Sequence, residues 1–206
     1  MRAIFPALLF LAALAGCSDK PGAESGQMML TPASSTFKNS DVTGLGYASN
    51  FALNDQDGKP RTLADFKGKA VVIFFGYTHC PDVCPTTMAE MSGVMKQLGP
   101  DADRVQVLFV TVDPERDTPA LLKQYVPAFD PRFIGLSGDA EATAKVAKEF
   151  RVFYQKVPGK TEGSYTMDHT AASYVFDPQG RVRLFVRHGQ GPDPIVHDLK
   201  VLLAGK

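Results

Sequence analysis

Ala70-Val71-Val72-Ile73-Phe74-Phe75-Gly76-Tyr77 runs directly into Thr78-His79-Cys80-Pro81-Asp82-Val83-Cys84-Pro85. The first eight residues are almost continuously apolar, as in a strand buried on both faces of a parallel sheet. From Thr86 to Leu98 the chain suits a helix, and Pro85 fits its first turn. The stretch therefore predicts a buried strand that delivers two cysteines, four positions apart, to the start of a helix.

The flanking sequence extends this alternation. Val105 to Val112 predicts a second buried strand. Thr118-Pro119-Ala120 opens a helix, with Thr118 as N-cap and Pro119 at its first position. Phe133-Ile134-Gly135-Leu136 is a short strand, and Asp139 to Phe150 is a helix with Ala142, Val146 and Phe150 along one side. Ala171 to Phe176, the turn Asp177-Pro178-Gln179-Gly180, and Arg181 to Arg187 form a hairpin, followed by a helix over Pro194 to Leu203. Upstream, Phe51 to Asn54 is a strand, Asp55-Gln56-Asp57-Gly58 its turn and Arg61-Thr62-Leu63 its return. This order predicts an α/β fold, a thioredoxin-like three-layer sandwich with a central mixed sheet, over residues 47–206.

Composition narrows the function. The 206 residues carry 22 Lys plus Arg against 22 Asp plus Glu; 44% are hydrophobic and 21% charged. That is a globular balance, and without a basic excess no nucleic-acid partner is expected. The three cysteines, at 17, 80 and 84, are too few for a disulfide-stapled scaffold or a four-cysteine zinc site.

The first cysteine closes an N-terminal address. Arg2 precedes a short apolar run, Ala7 to Ala15, which is the layout of a secretory signal. The run is well short of the ~20 apolar residues of a spanning helix. Leu14-Ala15-Gly16-Cys17 resembles the lipobox of bacterial lipoproteins, which implies cleavage after residue 16 and lipidation of Cys17. An ordinary signal peptide with a chance cysteine is the alternative. The expected organisation is a signal peptide over 1–16, a lipidated flexible tether over 17–46, and the folded domain over 47–206. The expected location is the bacterial cell envelope, lipid-anchored to a membrane, with the domain outside the cytoplasm on the periplasmic side. Met28 and Met29 in the tether are soft ligands for Cu(I), but two adjacent methionines without a longer pattern do not define a site.

Cys80 and Cys84 carry the chemistry. At a helix N-terminus, positive potential and free N–H groups are expected to lower thiol pKa values, which suits redox exchange and soft metals. The alternative is a structural disulfide, but its loop is too short to gain much closure entropy. A third metal ligand has to come from elsewhere, and the histidines stand at 79, 169, 188 and 197. A zinc enzyme is disfavoured, because no general base accompanies the set. A peroxiredoxin-type peroxidase is disfavoured too: Thr78 lies two residues before Cys80, and position 75 is Phe75.

Three segments together resemble the Sco (synthesis of cytochrome c oxidase), or SenC, family. They are Thr78-His79-Cys80-Pro81-Asp82-Val83-Cys84-Pro85, Val112-Asp113-Pro114-Glu115-Arg116-Asp117-Thr118-Pro119, and Asp168-His169-Thr170. The resemblance runs from about residue 50 to 204 and implies that Cys80, Cys84 and His169 bind copper, as Cu(I) or Cu(II). It also implies delivery of copper, or of reducing power, to the binuclear copper A centre of cytochrome c oxidase; the partner is cytochrome c oxidase subunit II or another copper chaperone. Most of the family are held at a membrane by an N-terminal helix; here a lipobox stands in that place. Two functions remain open on the same cysteines: a copper-carrying metallochaperone, and a thiol-disulfide oxidoreductase that reduces a target cysteine pair before copper insertion. Asp113 and Asp168 are candidates to orient His169, with turn chemistry as the alternative for Asp113. Arg116 and Asp117 read either as a solvated pair or as a partner-facing patch.

Overall fold

A computed structural model describes residues 36–205. The elements, in chain order, are β1 (Ser40–Asp41), β2 (Ala52–Asp55), β3 (Pro60–Thr62), β4 (Ala70–Gly76), α1 (Val83–Leu98), β5 (Val105–Thr111), α2 (Pro119–Tyr125), β6 (Ile134–Ser137), α3 (Ala140–Glu149), β7 (Tyr154–Pro158), β8 (Tyr165–His169), β9 (Ala172–Phe176), β10 (Val182–Arg187) and α4 (Pro192–Leu203). Short 3-10 turns occupy Leu63–Phe66 and Gly99–Arg104.

Eight strands form one mixed sheet in the order β1-β10-β9-β4-β5-β6-β2-β3. β4 pairs parallel with β5, and β5 with β6, while β9 runs antiparallel to β4. All seven residues of β4 and of β5 are buried. Since neighbouring side chains point to opposite faces, both faces of these strands are covered. The architecture is the expected sandwich of helices about a central mixed sheet. α1 turns Met88, Met91, Met95 and Leu98 into the core at helical spacing and packs beside α4.

The expected Thr118 cap forms, and Asp139 caps α3 in the same way. The Thr118 hydroxyl accepts from Leu121 N–H, and the Asp139 carboxylate from Ala142 N–H.

Two features depart from the sequence expectation. The body starts before residue 47. β1 adds to the sheet edge beside β10, and Phe37, Asn39 and Val42 are buried. The buried Asp198 carboxylate on α4 accepts from the backbone N–H groups of Lys38 and Asn39, each at 2.8 Å, and from the Asn39 side chain. One carboxylate and a few apolar contacts thus order a segment whose composition reads as tether. The signal segment, Cys17, Met28 and Met29 lie outside the described residues.

The second departure is a two-stranded ribbon of β7 and β8, separate from the main sheet. The sequence suggested no strands there. Across both strands only Met167 is fully buried, so no apolar alternation marks them.

Candidate metal centre

The end of β4 sets the geometry of the site. A Cβ on Gly76 would stand 2.9 Å from Cys84 Sγ and from the rings of Phe109 and Phe74. Glycine at this point lets the sulfur settle against the sheet. Its signal in the sequence is a glycine interrupting an apolar run just before the cysteines.

The chain then turns, with Cys80 N–H donating to the Tyr77 carbonyl at 3.2 Å. Cys80 sits in this turn, and only Cys84 lies in α1. The two sulfurs therefore meet through a loop-to-helix step and not along one helical face. The Cys84 N–H, at the start of α1, is directed at Cys80 Sγ at 3.4 Å.

Cys84 is wholly buried, and burial pushes its thiol well above the ordinary range. The expected lowering by the helix N-terminus is overturned at this cysteine, because loss of hydration outweighs the helix field. Cys84 holds its proton until an ion or a reaction partner displaces it.

His169 ends β8 and points into the same place, 85 positions along the chain from Cys84, with Nε2 3.4 Å from Cys84 Sγ. One donor atom each of Cys80, Cys84 and His169 lies within 4.8 Å of the other two, a group that could hold a metal ion. The Nδ1 of His169 stands 3.2 Å from the Thr170 carbonyl. That oxygen can only accept, so Nδ1 carries the proton and Nε2 keeps its lone pair for the cluster. Burial lowers the His169 pKa and keeps the imidazole neutral, the ligating form. Phe74 and Tyr77 stand edge-on to the ring, with centroids at 6.1 and 5.9 Å.

The other histidines are elsewhere. His79 is exposed beside the Thr78 hydroxyl, His188 faces Thr87, and His197 lies 2.8 Å from Asp198.

The carboxylates are arranged differently from expectation. Asp168 is exposed on β8 and makes no hydrogen bond to the His169 ring; its charge acts through space alone. Asp113 is buried, but its oxygens accept from the Tyr165 hydroxyl at 2.9 Å and from Arg116 Nε, not from His169. Arg116 and Asp117 form neither a solvated pair nor an exposed patch. The Arg116 guanidinium carbon lies 3.6 Å from the Tyr165 ring centroid, and its Nη1 donates to the Tyr165 carbonyl at 2.9 Å.

Asp117 is buried beneath the cysteine loop. It accepts from Thr78 N–H at 3.0 Å, from the Thr78 hydroxyl at 2.6 Å and from the Thr111 hydroxyl at 2.6 Å. Sequence reasoning missed this role, because an acid in a charged turn has the same local signature whether it faces water or the chain.

Two cysteine sulfurs and one neutral imidazole form a soft, three-donor set. It suits Cu(I) in low coordination and accepts Cu(II). The SCO1/SenC family model matches residues 42–204. The mitochondrial SCO2 homolog of Mus musculus is 38% identical over 153 residues, covering 73% of this chain and 60% of the mouse protein. The chain thus spans about three fifths of that relative's length.

Among solved structures, Bradyrhizobium japonicum ScoI with copper bound is 51% identical, with a TM-score of 0.69 over 75% of this chain and 98% of that one. BsSco, described with a disulfide switch and as a member of the Sco family of cytochrome c oxidase assembly proteins, is 27% identical, with a TM-score of 0.61 over 79% of this chain and 96% of that one. The family match takes in the strand, the helix and the ribbon that build the cluster, and by it this chain belongs to the SCO1/SenC family.

Proposed function

We propose that the protein is a copper-binding metallochaperone for assembly of the binuclear copper A centre of cytochrome c oxidase. The observation that carries this is the convergence of Cys80, Cys84 and His169 within 4.8 Å. Copper is the cargo, as Cu(I) or Cu(II), with the two sulfurs and His169 Nε2 as its ligands. Arrival of the ion displaces the Cys84 proton. Cys80 and His169 are half-buried while Cys84 is wholly buried, so the cargo enters and leaves on the Cys80 and His169 side. A three-donor set leaves room for a ligand of the recipient, either cytochrome c oxidase subunit II or another copper chaperone.

Support for the copper assignment comes from the copper-bound ScoI relative and from the donor chemistry. The test is copper titration of the reduced protein, read by absorption and electron spin resonance, beside His169→Ala. One ion per chain is expected, with markedly weaker binding in the variant. Normal binding by the variant defeats the three-ligand assignment.

A second reading uses the same sulfurs. Their proximity suits closure to a disulfide, so the protein can act as a thiol-disulfide oxidoreductase on the recipient's cysteine pair. Disulfide exchange that survives His169→Ala while copper binding is lost separates the two activities. For attachment, we propose lipidation at Cys17 with the domain on the periplasmic side. Among the described residues no helix is long and apolar enough to cross a membrane. Mass spectrometry of the N-terminal peptide from cell envelopes tests this, and an unmodified Cys17 or an uncleaved signal refutes it.

A further inference from the structure

The turn Asp113–Asp117 supplies no ligand, yet it reaches both halves of the cluster. Asp117 holds the cysteine loop through Thr78, while Arg116 and Asp113 hold Tyr165 at the start of β8. We infer that Arg116 is the positioning residue for His169, fastening the ribbon at Tyr165 so that the imidazole meets the two sulfurs. The inference rests on the copper-chaperone reading above.

A two-stranded ribbon by itself is marginal in water. β7 and β8 pair only with each other, and the outward-facing Tyr165 carbonyl is met by a side chain, so the placement of the ribbon depends on side-chain attachments. Arg116 makes the densest of these. Its guanidinium stacks on the Tyr165 ring, donates to the Tyr165 carbonyl, and pairs through Nε with the buried Asp113. The other oxygen of Asp113 takes the Tyr165 hydroxyl, which closes a ring of contacts around one residue of β8.

Arg116 also lies 5.7 Å from the centroid of Tyr77, the ring that stands edge-on to His169. The same guanidinium thus touches the ribbon at its start and the aromatic wall at its end. Lys156 also lies over the Tyr165 ring, 4.6 Å from its centroid, but it and its partner Glu115 are exposed, so this attachment is the weaker one. Lysine cannot replace the planar fork of arginine in this setting.

The test compares four reduced full-length proteins: wild type, Arg116→Ala, His169→Ala and the double variant. Cu(I) affinity is measured by chelator competition, and the Cu(II) site by electron spin resonance. Arg116→Ala should weaken copper by about tenfold to a hundredfold, the usual effect of losing a group that orients a ligand. Its Cu(II) spectrum should move toward that of His169→Ala, and Arg116→Lys should not restore it.

The double variant should bind no more weakly than His169→Ala alone, because both changes remove one interaction. Wild-type binding by Arg116→Ala, or fully additive losses in the double variant, overturns the inference. If Arg116→Ala does not fold, Tyr165→Leu removes the stacking platform and takes its place in the cycle.

A metal-free readout separates this inference from the copper assignment. In the apo protein, Arg116→Ala should shift the ring resonances of His169 and leave those of His188 and His197 in place. An unmoved His169 resonance defeats the positioning role even where His169→Ala loses copper. A moved resonance with normal copper binding in His169→Ala defeats the copper assignment alone.

Discussion

The cysteine loop and the histidine ribbon meet at a single cluster but are supported in contrasting ways. The loop springs from β4, whose seven residues are all buried and paired on both sides, and it lands on the long helix α1. Beneath it, Asp117 accepts three hydrogen bonds in a buried setting. The ribbon lies outside the main sheet, with one fully buried residue across its two strands. It is held by a guanidinium, a buried carboxylate and two aromatic rings. Two of the three proposed ligands are therefore carried directly on the core, Cys84 within it and Cys80 at its edge, and the third stands on an appended arm. In the proposed cargo role, the buried sulfur fixes where the ion sits, and the arm is the part that yields when the ion leaves.

Amide hydrogen exchange should show the contrast most strongly. β4 and β5 amides should exchange only on global unfolding, and those of β7 and β8 several orders of magnitude faster. Equal protection in the two regions refutes the distinction.

Asp117→Ala tests the loop side. It strands two hydroxyls and one N–H, at a cost of about 1–3 kcal/mol for a buried donor left unpaired. Chemical denaturation should show this loss, and disulfide exchange by Cys80 and Cys84 should change with it. A variant of unaltered stability means that Asp117 does not support the loop.

Gly76→Ala forces a methyl group against Cys84 Sγ and two rings, each at 2.9 Å. Overpacking of this kind costs about 1–3 kcal/mol. It should also displace the sulfur and weaken copper binding, whereas Gly58→Ala, in an open turn, should leave copper binding intact. Identical copper binding by the Gly76 variant and wild type rules out the proposed close packing.

Lys156→Ala removes the exposed Lys156–Glu115 contact and the exposed ammonium over the Tyr165 ring, and stability should change by less than about 1 kcal/mol. A larger change means that the arm is held at its surface and not through Arg116.

Both regions were visible in the sequence to different depths. Long apolar runs determine β4 and β5, because only strands covered on both faces tolerate so little polarity. The N-cap Thr118 is local chemistry and formed as expected. The strand-to-helix position of the cysteines is local too.

The ribbon has no such pattern, since its strands bury almost nothing, pair only with each other and are placed by side-chain attachments. Resemblance singled out His169, whereas the neighbouring carboxylates could not be assigned from spacing. Asp113, Arg116 and Asp117 lie in one polar turn, and only packing decided that they face the ribbon and the loop instead of water.

By itself, the sequence determined the central strands, the helices and the strand-to-helix seat of Cys80 and Cys84, because hydrophobic period and capping act over a few residues. Tertiary structure alone decided that residues 37–46 join the body, that Cys84 is buried deeply enough to hold its proton, and that an imidazole 85 positions away closes the cluster. Those outcomes depend on which surfaces exclude water and which distant strands pair, and no local pattern encodes them.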